Sequence, residues 1–104
     1  MARILAVGTH PEVMPVIERL LRSQDGWEPV VAFDAPEALA ALQTIKHFDV
    51  VLLGAGLSSK EEADLHSAAS ALSPKVPVVA HYGGGSGLLF AEIWGALGTH
   101  GDYL

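Results

Sequence analysis

The stretch that decides the fold is FDVVLLGAGLSS, residues 48–59. An apolar run, Val50 to Leu53, stops at a Gly-Ala-Gly turn, and a helix-capping pattern follows. A continuous run of Val and Leu is typical of a strand that is covered on both faces of a parallel sheet. In such sheets ligands bind at the carboxyl ends of the strands. Here that end carries Gly54, which has no side chain.

The rest of the chain repeats this strand-then-helix pattern. Strands are predicted at 4–7, 30–33, 48–53 and 76–81, and residues 102–104 resemble the start of a short fifth strand. Helical periodicity follows each of the first four strands. Short connections between alternating strands and helices favour right-handed βαβ units, with helices on both faces of a parallel sheet. We therefore predict a single α/β domain over residues 1–104.

Each predicted helix has one apolar face and a recognisable start. Asp34 is the predicted N-cap of the second helix, and Ser59 with Glu62 forms the predicted capping box of the third. The predicted inward residues are Val13, Val16, Ile17, Leu20 and Leu21 in the first helix, Ala35, Ala38, Leu39, Leu42 and Ile45 in the second, Leu65, Ala68, Ala69 and Leu72 in the third, and Phe90, Ile93, Trp94 and Leu97 in the fourth.

Composition restricts the partners. Six Lys and Arg against twelve Asp and Glu give a formal charge of −6. This charge repels phosphate backbones and anionic lipids, so we expect neither nucleic acid nor a membrane as a partner. The chain has no cysteine, which excludes disulfides and thiolate metal sites. The apolar run before Gly8 is shorter than a signal-peptide core, and we predict a cytoplasmic protein.

Two glycine-rich segments follow predicted strands. Gly54-x-Gly56-x-x-Ser59 is close to a dinucleotide-binding fingerprint, but it follows the third strand and lacks the acidic residue expected about 20 residues later. A turn that needs small residues is therefore favoured. The segment Gly83-Gly84-Gly85-Ser86-Gly87 precedes the fourth helix, where backbone N–H groups can bind an anion. It lacks the lysine of a P-loop, and a loop that binds nothing is the favoured interpretation.

Histidines end two of the predicted strands. His10 follows the first strand and His81 ends the fourth, so both are expected at the same edge of the sheet. No HxH, HExxH or helical His pair is present, and zinc normally needs three or four ligands. Neither histidine has a visible partner for general-base chemistry. We therefore predict no metal site, no cofactor and no enzymatic activity.

Four segments in order resemble the receiver domain of bacterial response regulators. They are ILAVGTHPEVMPVIERLL (4–21), FDVVLLGAGLS (48–58), VPVVAHYGG (76–84) and ALGTHGDYL (96–104). The resemblance implies a three-layer flavodoxin-like sheet of strand order 2-1-3-4-5, with a short fifth strand. The family's fifth helix, which packs beside the first, has no counterpart before Leu104.

The resemblance also implies what this chain lacks. Receivers accept a phosphoryl group from a histidine kinase on an aspartate after the third strand, and Mg²⁺ is held by an acidic pair after the first. The matching residues here are Gly54 and the pair Gly8 and Thr9, with Tyr82 at the family's Ser or Thr position. None supplies the carboxylate oxygens that Mg²⁺ prefers. The implied function is a phosphorylation-independent adaptor that binds a protein partner in a two-component phosphorelay.

An alternative hypothesis keeps the fold and changes the function. A flavodoxin-like module could bind a small molecule, nucleotide or anion through backbone N–H groups of its strand-end loops. The loops concerned are Gly8-Thr9, residues 54–56 and residues 83–87.

The missing fifth helix predicts an uncovered sheet face. Exposing several hundred Å² of apolar surface costs on the order of 10 kcal/mol, which is comparable to the stability of a whole domain. We therefore expect a longer chain, a homo-oligomer or an exchange of elements between protomers to cover that face. The predicted interface residues are Leu88, Leu89, Trp94 and Tyr103, because the fourth helix and fifth strand form the usual dimer surface of the family.

Overall fold

Strands and helices alternate along the chain as the sequence predicts. A computed structural model describes residues 2–44, 47–72, 75–81 and 85–98. The elements are β1 (Ala2–Val7), α1 (Met14–Arg22), β2 (Trp27–Ala32), α2 (Ala35–Thr44), β3 (Val50–Leu53), α3 (Ser59–Ser70), β4 (Val78–Ala80) and α4 (Gly85–Gly98).

The strands form one parallel sheet in the order β2-β1-β3-β4. All four residues of β3 are buried, which explains its uninterrupted Val and Leu run. β2 begins before the predicted residue 30 and includes Pro29. Proline is tolerated there because β2 is an edge strand, where a missing N–H costs little. The order confirms the flavodoxin-like prediction, and residues 99–104, with the predicted fifth strand, lie outside the described residues.

Side chains from the two faces of the sheet form two separate cores. The β1 and β3 residues Leu5, Val7, Val51 and Leu53 face α2 and α3, whereas Ile4, Ala6, Val50 and Leu52 face α1 and α4. The buried helical residues are Ala35, Ala38 and Leu42 in α2, Leu65 and Ala69 in α3, Met14, Ile17 and Leu21 in α1, and Leu89, Ile93 and Ala96 in α4.

The position of α4 corrects the expectation of an open sheet face. The right-handed crossover from β3 to β4 places α3 beside α2, and a further crossover of the same kind would place the next helix there too. Instead α4 packs on the opposite face, in the same core as α1. It therefore covers the surface that the missing fifth helix was expected to leave exposed.

Two predicted helix faces are partly wrong. α1 begins at Met14, so Val13 is its N-cap residue, and Val13 and Val16 are exposed. In α4 the most buried side chains include Leu89, which is 1% exposed, whereas Trp94 is 56% exposed. The face of α4 that meets the sheet is thus rotated from the predicted one.

Helix caps agree with the sequence to within one residue. The Glu37 N–H donates to Oδ1 of Asp34 at 2.8 Å, which confirms Asp34 as a cap. The capping box of α3 is formed by Ser58 and Glu61, not by Ser59 and Glu62. Both pairs have the same spacing, and the structure uses the earlier one.

Replacing Ile93 tests the observed orientation of α4. Ile93 is fully buried, so Ile93→Ala is expected to lower the free energy of unfolding by about 2 to 5 kcal/mol. Leu88 is 47% exposed, and Leu88→Ala is expected to change the free energy of unfolding by less than about 1 kcal/mol. Urea denaturation at low protein concentration measures both. Equal losses for the two variants would contradict this orientation.

Candidate functional site

The carboxyl edge of the sheet brings together three residues from three strands. Val7 pairs with Leu53, and Leu53 pairs with Ala80, so the residues that follow them lie side by side. These residues are Gly8, Gly54 and His81. The Gly54 N–H donates to the Val7 carbonyl at 2.7 Å, and the His81 N–H donates to the Leu53 carbonyl at 2.8 Å. The sheet therefore continues one residue beyond β3 and β4, and it brings Gly8 and Gly54 side by side.

The backbone at this edge leaves little room for side chains. A Cβ atom added at Gly54 would lie 3.1 Å from the Val7 carbonyl oxygen and 3.5 Å from the Gly8 Cα. A Cβ atom added at Gly8 would lie 2.8 Å from Sδ of Met14. The 3.1 Å and 2.8 Å separations are shorter than ordinary van der Waals contact. At Gly54 the close atom belongs to the backbone, whereas at Gly8 it is near the end of the flexible Met14 side chain.

The next contact joins the loop after β1 to the loop after β3. Gly56 has a φ of 99°, a left-handed conformation that glycine adopts without strain. A Cβ atom added there would lie 1.8 Å from Oγ1 of Thr9, so the Thr9 side chain packs directly on Gly56. The Thr9 N–H also donates to the Ala55 carbonyl at 3.4 Å. Gly56 is therefore required both for the turn and for the close approach of Thr9.

Three of the donors invoked for an anion site are already used. The N–H of Gly8 donates to the Ala32 carbonyl at 3.1 Å, and those of Thr9 and Gly54 donate to carbonyls of neighbouring loops and strands. A group that is engaged in this way is not available to an anion. The strand-end loops at Gly8, Thr9 and Gly54 thus give no support to the anion-binding alternative.

The second glycine-rich segment is partly helical. α4 begins at Gly85, so residues 85–87 form its first turn and not the predicted loop. Gly83, Gly84 and the predicted hydroxyl-position residue Tyr82 lie outside the described residues.

One polar pair at this edge was not predicted. Nδ1 of His81 lies 2.5 Å from Oε1 of Glu92, and the two side chains are only 10% and 25% exposed. An ionised carboxylate only accepts hydrogen bonds, so in a bond to ionised Glu92 the donor is Nδ1 of His81. The pair ties the end of β4 to the middle of α4. His81 follows a strand and Glu92 lies in the next helix, so no periodicity within one element relates them and no signal in the sequence identified the pair.

Carboxylates do not gather at the edge. Within the described residues, no group of three or more His, Asp or Glu side chains is placed to hold a metal ion. Nearby acidic side chains serve as helix caps instead: Asp34 and Glu37 in α2, and Glu61 in α3.

The described helices also bear on membrane association. No helix within the described ranges is both long enough and apolar enough to cross a membrane.

The predicted interface residues divide into two groups. Leu88 and Trp94 are exposed, and Trp94 rests on Trp27 with ring centroids 5.1 Å apart. Leu89 belongs to the core formed with α1, so an interface role for Leu89 is wrong. Tyr103 lies outside the described residues.

Several solved structures with this architecture are response regulators or receiver domains. A response regulator receiver domain protein from Clostridium thermocellum superposes with a TM-score of 0.74 at 14% identity, covering 96% of this chain and 97% of that one. The response regulator TrrA from Thermotoga maritima, in complex with Mg²⁺ and BeF, superposes with a TM-score of 0.67 at 18% identity. The match covers 92% of this chain and 99% of that one. The receiver domain of the hybrid histidine kinase CckA superposes with a TM-score of 0.68 at 21% identity, covering 92% of this chain and 99% of that one.

No model of a known protein family and no curated protein matches the sequence. The sheet order and these superpositions therefore define the fold of the chain. The chain has the flavodoxin-like fold of response-regulator receiver domains, with glycines at the end of its first and third strands.

Replacing Gly56 tests the contact between the two loops. Gly56→Ala is expected to lower the free energy of unfolding by about 1 to 3 kcal/mol, because of its φ and the contact with Thr9. Gly95 lies in α4 with no atom within 4 Å of an added Cβ. Gly95→Ala is therefore expected to raise stability by about 0.5 to 1 kcal/mol. Urea denaturation gives both values, and a neutral Gly56→Ala would contradict the described turn.

Replacing Glu92 tests the link between β4 and α4. Glu92→Ala is expected to cost about 1 to 3 kcal/mol, because it leaves a largely buried imidazole donor without its acceptor. Glu92→Gln is expected to lower the free energy of unfolding by less, since an amide oxygen can also accept a hydrogen bond from His81. The exposed pair Lys60 and Asp64 provides the control, and Asp64→Ala is expected to cost less than about 1 kcal/mol. If Glu92→Ala and Asp64→Ala cost the same in thermal or urea denaturation, the link contributes nothing to stability.

Proposed function

We propose that this chain is a pseudo-receiver: a non-enzymatic, cytoplasmic adaptor of a two-component phosphorelay that binds a protein partner without being phosphorylated. The observation that carries the proposal is the replacement of the reactive carboxylates by glycines on an otherwise receiver-like sheet edge. Gly54 stands where the phosphoacceptor aspartate is expected, and Gly8 and Thr9 stand where the Mg²⁺ ligands are expected.

The geometry of the edge supports this proposal in a second way. Phosphoryl transfer to a receiver needs an oxygen nucleophile, a divalent cation and an open approach for the donor. At this edge Gly54 supplies no oxygen from a side chain, and Gly8 lies against it within van der Waals distance. The Thr9 side chain packs on Gly56 and closes the loops over one another. Among the described residues of this edge, a phosphoryl group meets no carboxylate that could accept it and no cluster of carboxylates that could hold a metal.

Known complexes with this fold suggest the class of partner. CheY6 from R. sphaeroides, a protein of the same fold, has been solved in complex with the phosphorylated P1 domain of CheA3. The similarity to this chain is 18% identity with a TM-score of 0.57. By analogy, we propose a protein of the same signalling class as the partner, with binding that depends on surface shape and not on phosphorylation.

A phosphodonor assay tests the chemical half of the proposal. The chain is incubated with acetyl phosphate and Mg²⁺, and separately with Mg²⁺ and beryllofluoride, beside a receiver that retains its aspartate. We expect intact-mass spectra without a phosphoryl adduct and amide NMR spectra unchanged by beryllofluoride. The aspartate-containing receiver must respond in both assays. A phosphoryl adduct on this chain would overturn the proposal.

A binding assay tests the adaptor half. Phosphotransfer and receiver domains encoded in the same genome are immobilised and titrated with this chain, with and without acetyl phosphate. We expect at least one to bind with the same dissociation constant under both conditions. Binding that requires the phosphodonor, or the absence of binding to every such domain, would contradict the adaptor role.

A further inference from the structure

β4 is an edge strand whose outer side is unpaired among the described residues. The described sheet ends at β4, and no described strand lies beside it opposite β3. The Val51 N–H of β3 donates to the Pro77 carbonyl at 2.9 Å. Because the backbone groups of a strand alternate in direction, the N–H and C=O groups of Val78 and Ala80 point away from β3. No described residue bonds to them, so β4 offers free donors and acceptors to a further strand.

The other edge of the sheet, at β2, is largely closed to a further strand. The Ala32 carbonyl accepts from the N–H that follows β1, so the alternate residues Trp27, Pro29 and Val31 face outward. The Trp27 N–H already donates within its own turn, and Pro29 has no N–H. Val31 is therefore the one free outward donor of this six-residue strand. Proline and engaged N–H groups protect edge strands from pairing, and β4 lacks both at its outward positions.

The position of α4 decides whether the chain readily fills the edge of β4 itself. α3 connects β3 to β4 on the face that also carries α2, whereas α4 leaves β4 on the face that carries α1. A strand that followed α4 and lay parallel to β4 on its outer side would make a left-handed crossover. Such connections are rare. The handedness rule thus disfavours the predicted fifth strand, within residues 99–104, as the strand that pairs with β4 of its own copy.

We propose that β4 pairs with β4 of a second copy, antiparallel about a two-fold axis through Val79. In this register Val78 of each copy lies opposite Ala80 of the other, and each such pair exchanges two N–H···O bonds. A two-fold contact requires a self-complementary surface, and here every outward N–H and C=O group of the two residues finds a partner. The sheets of the two copies then form one continuous sheet. The inference goes beyond the proposed function and does not depend on it.

The side chains along this edge also suit a second copy. The segment KVPVVAH, residues 75–81, has no acidic residue, although the chain has twelve Asp and Glu. Each copy carries a formal charge of −6, so most surfaces of two copies repel each other. Pairing along this strand brings no two carboxylates of the segment together. The strand itself is Val-Val-Ala and is only partly buried, so pairing also removes apolar surface from water.

The short length of β4 sets the expected strength of the dimer. Three residues at about 3.4 Å each span about 10 Å. The strand alone therefore buries much less than the roughly 800 Å² per partner of a standard interface. We expect a dissociation constant near 0.1 mM, with mostly dimer at about 1 mM protein and mostly monomer at about 10 µM.

A cysteine at Val79 tests the register. The chain has no cysteine, so a single-cysteine variant can form only an intermolecular disulfide. In the proposed dimer the two Val79 Cα atoms form a non-hydrogen-bonded pair about 4.5 Å apart, which a disulfide can bridge. Val79→Cys at about 1 mM in a glutathione redox buffer is expected to give at least about tenfold more covalent dimer on non-reducing gels than Ala80→Cys.

Ala80→Cys is the matched control for this cross-link. Ala80 is more exposed than Val79, so exposure alone would favour its oxidation. In the proposed register, however, the two Ala80 Cα atoms lie about 8 Å apart, beyond the reach of a disulfide. Equal cross-linking of the two variants, or none with Val79→Cys, would overturn the register.

Amide hydrogen exchange of the unmodified protein gives a second readout that needs no substitution. The Val78 and Ala80 amides are expected to exchange at least about threefold more slowly at about 1 mM than at about 10 µM, because the dimer engages them. The Val31 amide, the free outward donor of β2, is the control and is expected to exchange equally at both concentrations. Fast exchange of Val78 and Ala80 at both concentrations would overturn the proposal and leave the edge to a different protein. Slow exchange at both would also overturn it, because the chain would then cover its own edge.

Discussion

The rest of the structure depends on one constraint: both apolar faces of the four-stranded sheet must be covered. α2 and α3 cover one face, and α1 covers only part of the other. By packing beside α1, α4 completes that second layer. Leu89, Ile93 and Ala96 then face the sheet, and Trp94 meets Trp27 on the flank. This placement also brings Glu92 beside His81 at the carboxyl edge. The buried face of α4, its hydrogen bond to His81 and its exposed face therefore all follow from the way in which α4 packs on the sheet.

The carboxyl edge of the sheet also depends on close packing, here between the loops that follow β1 and β3. Several carboxylates in one cluster repel one another and need a cation to offset the repulsion. Here Gly8 and Gly54 carry no side-chain charge, and the Gly54 N–H donates to the Val7 carbonyl at 2.7 Å. Thr9 completes the contact on Gly56. The two loops are thus held together by direct packing and by backbone hydrogen bonds.

The sequence predicted the parts of the fold that local patterns encode. The buried run of β3 and the Asp34 cap were predictable, because each follows from the periodicity or chemistry of a few neighbouring residues. The strand order was predicted only through the resemblance to receiver domains. The rotation of α4 was not, since Leu88, Leu89, Phe90, Ile93 and Trp94 offer apolar surface in several directions and periodicity cannot choose among them. The His81 and Glu92 pair depends on that rotation. In α3 the sequence Ser-Ser-Lys-Glu-Glu fits two capping registers equally well, which explains the error of one residue.

The two features of α4 act through the same rigid element. On one flank, Glu92 is hydrogen-bonded to His81 at the strand end, and on the outside Ala91 and Trp94 are exposed. A helix held by buried Leu89 and Ile93 cannot rotate without breaking both its core contacts and this hydrogen bond. A switch that responds to phosphorylation needs two arrangements of similar free energy. The hydrogen bond between His81 and Glu92 favours one arrangement of α4. The orientation of the outer face of α4 is therefore set by the buried contacts of the helix and by this hydrogen bond together.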